Sequence, residues 1–144
     1  MKTKNKSVAF DFTGSNVVIT GGSKGIGLEV SKQFINAGAK VTCLSRENPE
    51  VESLDFIKCD LSKPEQIKNA FKKIKSLDIL VNVAGTNLCE KIEKIDEQEW
   101  DRVLNTNLRS YFLTCKYAVE KMSEQCYGRI VNVSSIAGRN KSIV

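Results

Sequence analysis

The segment Thr20-Gly21-Gly22-Ser23-Lys24-Gly25-Ile26-Gly27 constrains this chain more than any other. It follows a short β-branched run, Asn16-Val-Val-Ile-Thr20, and leads at once into a helical period. A strand that ends in clustered glycines and passes straight into a helix is the start of a β-α-β unit, the building block of parallel sheets. Glycines at that turn let the backbone bend sharply and approach a pyrophosphate closely, and the helix start offers N–H groups and a positive dipole end to the anion. The spacing is Gly-x3-Gly-x-Gly. It is not a P-loop, because no Gly-Lys-Ser/Thr closes it. A purely structural βα turn would use the same residue types.

The alternation continues along the chain. Ile26, Val30 and Phe34 fall four apart and predict a helix face closed by Gly38 as C-cap. Lys40–Ser45 reads as a second strand and Leu54–Cys59 as a third, weaker one, with Arg46 to Ser53 too short for a full helix between them. Ser62-Lys-Pro-Glu65 predicts a capping box with Pro in the first turn, followed by the stripe Ile67, Phe71, Ile74 and Leu77. Asp78–Val83 is apolar enough to be a strand buried on both faces. Asp96 and Glu99 open a long helix whose stripe is Trp100, Val103/Leu104, Leu108, Tyr111/Phe112, Cys115, Val119 and Met122. Gly128 breaks it, and Arg129–Ser134 is a fifth strand. The pattern predicts an α/β fold: a doubly wound, Rossmann-type parallel sheet of five strands in the order 3-2-1-4-5, with the ligand crevice between strands 1 and 4. The 144 residues, 41% apolar and 27% charged, suit one such domain over 1–144.

Composition excludes several chemistries. With no histidine there is no Ser-His-Asp triad, no Cys-His pair and no His-rich zinc site, so no metal is expected. The cysteines at 43, 59, 89, 115 and 126 are odd in number and form no C-x-x-C. They read as free thiols with packing roles in a reducing compartment, the cytoplasm. The net charge of +5 raises the question of nucleic acid. The lysines are dispersed and few aromatics accompany them, so Lys68, Lys72 and Lys75 read as a solvated helix face and no nucleic-acid partner is expected. No apolar window is long enough for a membrane span, and no apolar run follows the basic N-terminus as a secretory signal requires.

The tip of the second strand bears on which nucleotide the turn would hold. An acidic residue there would bond a ribose 2′-OH; this chain has Ser45 and Arg46. Arg46 can pair with a 2′-phosphate, and Lys24 can reach the same charge; both could equally be solvated surface. An S-adenosylmethionine-dependent methyltransferase also places a Gly-rich turn after its first strand, but it wants a carboxylate at this tip, which Ser45-Arg46 opposes.

Together these residues resemble the short-chain dehydrogenase/reductase family from about residue 10 to 144. The glycine turn is similar to that family's Thr-Gly-x3-Gly-x-Gly. Cys59-Asp60-Leu61 resembles its adenine-side Asp, and Asn82-Val83-Ala84-Gly85 resembles its Asn-Asn-Ala-Gly. Asn107 falls where it keeps a helix Asn, and Ile130-Val-Asn-Val-Ser-Ser135-Ile-Ala-Gly138 resembles the segment bearing its catalytic Ser. The resemblance implies an NAD(P)(H)-dependent oxidoreductase, NADP(H) favoured over NAD(H), that reduces a small-molecule carbonyl or oxidises an alcohol. It implies catalytic roles for Ser135 and Asn107. It implies cofactor contacts at Gly21, Ser23, Lys24, Gly25, Ile26, Gly27, Ser45, Arg46, Asp60, Leu61, Asn82, Ala84 and Gly85. A homo-oligomer of the full-length parent through the long helix is also implied.

Two departures qualify it. Val83 replaces the second Asn of its motif, which removes one expected polar tie between central strands. The family's Tyr-x3-Lys, about a dozen residues past the Ser, does not occur before Val144. The chain therefore reads as C-terminally truncated, and the alternative function is a catalytically silent nucleotide-binding fragment. Tyr117-x3-Lys121 has the right spacing but precedes the fifth strand, so it reads as helix surface.

Overall fold

The computed structural model describes residues 9–136. At its centre lie the two most apolar strands, β1 (Asn16–Thr20) and β4 (Ile79–Asn82), whose residues are nearly all buried. Flanking them are β2 (Lys40–Ser45), β3 (Leu54–Lys58) and β5 (Arg129–Asn132). All pairs are parallel and the order is β3-β2-β1-β4-β5, as the alternating pattern requires. Thr20 aligns with Leu44 on one side and Asn82 on the other, so the tips of β1, β2 and β4 end at one level. The order of connection reverses between β1 and β4, and a crevice opens there.

Helix α1 (Gly25–Asn36) covers one face of the sheet over a cluster of Val17, Ile19, Val41, Ile79 and Val81. Val30 and Phe34 pack on that cluster as their spacing predicts, and the sequence reading is corrected at Ile26. Ile26 is 67% exposed, while the buried positions are Gly27 and Ser31. The helix start must come so near the glycine turn that only small residues fit beneath it. The far end closes as expected: Gly38, at φ 89, donates to the Ile35 carbonyl, and Ala39 donates to that of Phe34.

On the other face, α2 (Pro64–Lys73) and α4 (Ser110–Glu124) pack together, with the Phe71 and Tyr117 rings 5.7 Å apart. The expected capping box does not form. The N-cap of α2 is Lys63, with no side-chain bond, because the Asp60 carboxylate takes both the N–H and the hydroxyl of Ser62 at 3.0 and 2.8 Å. Asp60 thus forms a local Asx turn that outcompetes the cap. Pro64 at the first helical position still starts the helix. Ile67, Phe71, Ile74 and Leu77 are buried, and Lys68, Lys72 and Lys75 exposed, as their spacing predicts.

The long helix is the main correction. It is three pieces: α3 (Glu97–Leu104), a π-helical turn (Asn105–Arg109) and α4. Asp96 caps α3 by accepting from the Glu99 N–H at 2.8 Å. The fully buried face shares only Met122 with the apolar stripe, of which Tyr111 and Cys115 are half-buried. That face is Ser110, Thr114, Ala118 and Met122, while Trp100, Leu108, Phe112 and Val119 are more than half or half exposed. Small side chains let α4 lie close on β4, where the Thr114 hydroxyl donates to Asn82, while the Ser110 hydroxyl donates back to the Thr106 carbonyl. Among the thiols, Cys43 and Cys59 are buried and Cys115 half-buried. Cys89 and Cys126 are exposed, so a packing role does not hold for those two.

Substituting Thr114→Val removes the 2.9 Å hydroxyl bond to Asn82 Oδ1 and leaves that buried oxygen only the 3.3 Å bond from Thr20. We expect a loss of about 1–2 kcal/mol in urea unfolding, with the slope of the transition unchanged.

Candidate cofactor cleft

The strand tips and the glycine turn enclose a cleft of ≈ 410 Å³. Gly21, Lys24, Ile26 and Gly27 form one end, Ser45 and Arg46 with Asp60 and Leu61 one wall, and Ala84, Gly85 and Thr86 the opposite wall. The glycines are there because of distance. A Cβ on Gly21 would sit 2.8 Å from Ala84 Cα, and one on Gly27 would run into the Gly21 carbonyl. Gly25 is different: at φ 52, the space where its Cβ would project is open. No side chain caps the start of α1. A helix N-terminus left without a cap behind a glycine turn suits a phosphate, so the donor set fits a dinucleotide.

On the side that follows β3, Asp60 is held in place. Its N–H donates to Gln66 Oε1 at 2.8 Å and its Oδ1 accepts from Ser62. Ser45 is buried and donates to the Glu47 carbonyl at 2.7 Å. Arg46 stands at the β2 tip facing both the main cleft and a neighbouring hollow that also holds Glu47, Lys58 and Gln66. The floor includes Cys59, fully enclosed, whose thiol is pushed up to about 11, first by burial and then by the nearby Asp60 charge.

Not every expected contact lies on this wall. Ser23 and Gly25 belong to the turn but do not line the cleft. Asn82 is fully buried and its amide is committed to the protein. Its Oδ1 accepts from the Thr20 and Thr114 hydroxyls, and its Nδ2 donates to Asn132 Oδ1 at 2.9 Å. Asn82 therefore stands behind the site as a tie between β1, β4, β5 and α4. The polar tie that Val83 cannot make is supplied by Thr20, whose hydroxyl oxygen accepts from the Val83 and Ala84 N–H groups. The Val83 side chain turns to the α1-side core.

Asn107 sits in the π-helical turn and grips Thr86 from both sides. It accepts from the Thr86 N–H and donates to its carbonyl, each at 2.7 Å. Ser135 follows β5 on an exposed segment. Two residues before it, the Val133 carbonyl accepts from Tyr111, whose hydroxyl also bonds the Asn82 carbonyl, both at 3.1 Å. The last part of that motif, Ala137-Gly138, lies outside the described residues. Tyr117 packs on Phe71 in the α2–α4 interface, off the cleft wall.

Among the described residues six lining positions were not expected contacts: Cys59, Ser62 and Val83, which sit beside expected ones, and Thr86, Arg102 and Thr106. Thr86 directly follows Gly85, and Glu99 and Arg102 are spaced for a helix-surface pair, so their only signals are ones that solvated residues also carry.

A family model described as short chain dehydrogenase matches residues 15–144. The chain is 35% identical over 136 residues to a 3-oxoacyl-[acyl-carrier-protein] reductase of Rickettsia typhi, covering 89% of this chain and 56% of that protein. It is 33% identical over 141 residues to a 2-dehydro-3-deoxy-D-gluconate 5-dehydrogenase of Bacillus subtilis, with the same coverage. Among solved structures, the short chain dehydrogenase of Leptospira borgpetersenii with bound NAD+ superposes with a TM-score of 0.86 at 31% identity, over 100% of this chain and 59% of that one. The ligand-free Thermoplasma acidophilum aldohexose dehydrogenase gives 0.79 at 35%, over 89% and 51%. The chain thus spans little more than half the length of these relatives.

The Cys59 thiol has a pH consequence. The folded chain keeps its proton to about 11, whereas the unfolded chain releases it near the ordinary 9.0. Its contribution to stability is present below pH 9 and is lost as pH rises through 11. Urea unfolding followed from pH 8 to 11.5 should show stability falling in that window. Cys59→Ala should flatten the fall; an unchanged slope in the variant would place the effect elsewhere.

Proposed function

Because the chain belongs to the short-chain dehydrogenase family, we propose that its cleft binds NADP(H) in preference to NAD(H), for reduction of a small-molecule carbonyl or the reverse oxidation of an alcohol. The bound cofactor supplies the hydride exchange. One observation carries the nucleotide preference: Arg46 stands on the cleft wall at the tip of β2, where a carboxylate would select a free ribose hydroxyl. Lys24 lines the same cleft at the start of α1 and adds positive charge. Gly21, Gly27, Ala84 and Gly85 let the nucleotide lie close to backbone. Asp60 and Leu61 face its adenosine end.

Ser135 holds the substrate oxygen and Asn107 fixes the wall beside it. A serine hydroxyl is too weak an acid to protonate an alkoxide as it forms. That step needs a positioned acid worth about 10²–10⁴-fold in rate, the part of the family's Tyr-x3-Lys. No such motif follows Ser135 among these residues. A polypeptide of these 144 residues should therefore bind nucleotide without turnover. The free cysteines support a reducing, cytoplasmic setting. The exposed row of Trp100, Leu104, Leu108 and Phe112 supports self-association of the full-length parent through this helix.

Two measurements test this reading. Arg46→Ala should weaken NADPH binding by about 1–3 kcal/mol and leave NADH nearly unchanged; equal losses would sink the assignment. Purified 144-residue chain should show no NADPH oxidation with any carbonyl. Turnover that Tyr117→Phe abolishes would overturn the expected silence.

A further inference from the structure

Among the described residues three cations line the cleft: Lys24, Arg46 and Arg102. The first two are exposed side chains. Arg102 is already engaged. Its Nε lies 3.1 Å from both Glu99 oxygens and its Nη2 2.7 Å from Oε2. Glu99 is itself set by the Asp96 cap at the start of α3. The remaining arm of the guanidinium, Nη1, donates to Thr86 Oγ1 at 2.8 Å. Thr86 is therefore held at all three polar groups: N–H and carbonyl by Asn107 and hydroxyl by Arg102. A planar guanidinium with its charge met by a carboxylate on one edge and its other edge on a hydroxyl transmits geometry, not charge.

We infer that Arg102 is a positioning residue of the nucleotide cleft, which braces the Gly85–Thr86 wall against Asn107 through the Thr86 hydroxyl and takes no phosphate or carboxylate of the ligand. The inference rests on the cleft being the dinucleotide site proposed above. It separates Arg102 from Arg46. Arg46 discriminates between ligands by their charge; Arg102 sets the width of the slot for every ligand that carries adenosine.

The two roles give opposite signs when Glu99 loses its charge. NADPH, NADH and adenosine monophosphate are titrated into the 144-residue chain by calorimetry at low and high salt, with circular dichroism checking each variant's fold. Glu99→Gln and Arg102→Met should each weaken all three ligands about three- to tenfold and alike, with the salt dependence unchanged. In a Thr86→Val background, Arg102→Met should cost nothing further, because the brace is already cut. Tighter NADPH binding by Glu99→Gln with a steeper salt dependence would overturn the inference, since a freed cation would then be reading ligand charge. Additive losses for Arg102→Met and Thr86→Val would overturn it as well. Amide hydrogen exchange reads the brace without ligand. Arg102→Met should speed exchange at Thr86 and leave Val83 and Ala84, which Thr20 holds, unchanged; unaltered Thr86 exchange overturns the brace. If the unmodified chain binds none of the three nucleotides, the cofactor reading fails, and the exchange result decides the brace by itself.

Discussion

The amide of Asn82 holds the upper end of this molecule together. It is fully buried at the tip of β4, and its two polar atoms bond three elements: Oδ1 accepts from the Thr20 hydroxyl of β1 and the Thr114 hydroxyl of α4, and Nδ2 donates to the Asn132 side chain of β5. An unpartnered amide at that depth costs roughly 1–3 kcal/mol, so the surrounding elements are constrained to supply partners. No buried side-chain nitrogen or oxygen among the described residues is left without one.

Much of the architecture follows from that constraint. Helix α4 must bring a hydroxyl to Asn82, so it presents Ser110, Thr114, Ala118 and Met122 to the sheet and turns Phe112 and Val119 outward. Thr20 gives its proton to Asn82, so its oxygen is left to accept from the Val83 and Ala84 N–H groups. Those bonds aim the chain from β4 into the cleft wall. The π-helical turn before α4 then brings Asn107 to Thr86, and α3 brings Arg102 to the same residue. Buried hydroxyls and amides fix the back of the cleft, and a charged brace fixes its front.

The cleft divides its work between backbone and side chains. The glycine turn and the open end of α1 provide a place for phosphates with no side chain in the way. Side-chain charge enters at the start of α1 with Lys24, at the tip of β2 with Arg46, after β3 with Asp60 and on the far wall with Arg102.

Where local chemistry decided the outcome, the sequence was sufficient. The β-branched runs, the four-residue spacing of Ile67 and Phe71, the Pro64 and Asp96 helix starts and the Gly38 cap all act within a few residues, and the strand order follows from their alternation. The glycine turn, and the place of Arg46 at the tip of β2, were legible because they depend on position along one β-α unit. What tertiary structure alone decided are pairings between residues far apart in the chain. The apolar stripe from Trp100 to Val119 satisfied helical periodicity, yet the fully buried residues beside it were Ser110, Thr114 and Ala118, because Asn82 lies 32 residues from Thr114 and its need for a hydroxyl is invisible in either segment. The Ser62 side chain turned to Asp60 instead of capping the helix, for a local reason that periodicity does not weigh. Arg102 looked like half of a helix-surface ion pair; only the fold brought Thr86, 16 residues away, to its free edge. Periodicity reports which face of a helix is apolar, but the depth at which a polar group is buried, and so what must approach it, is set only when the chain closes on itself.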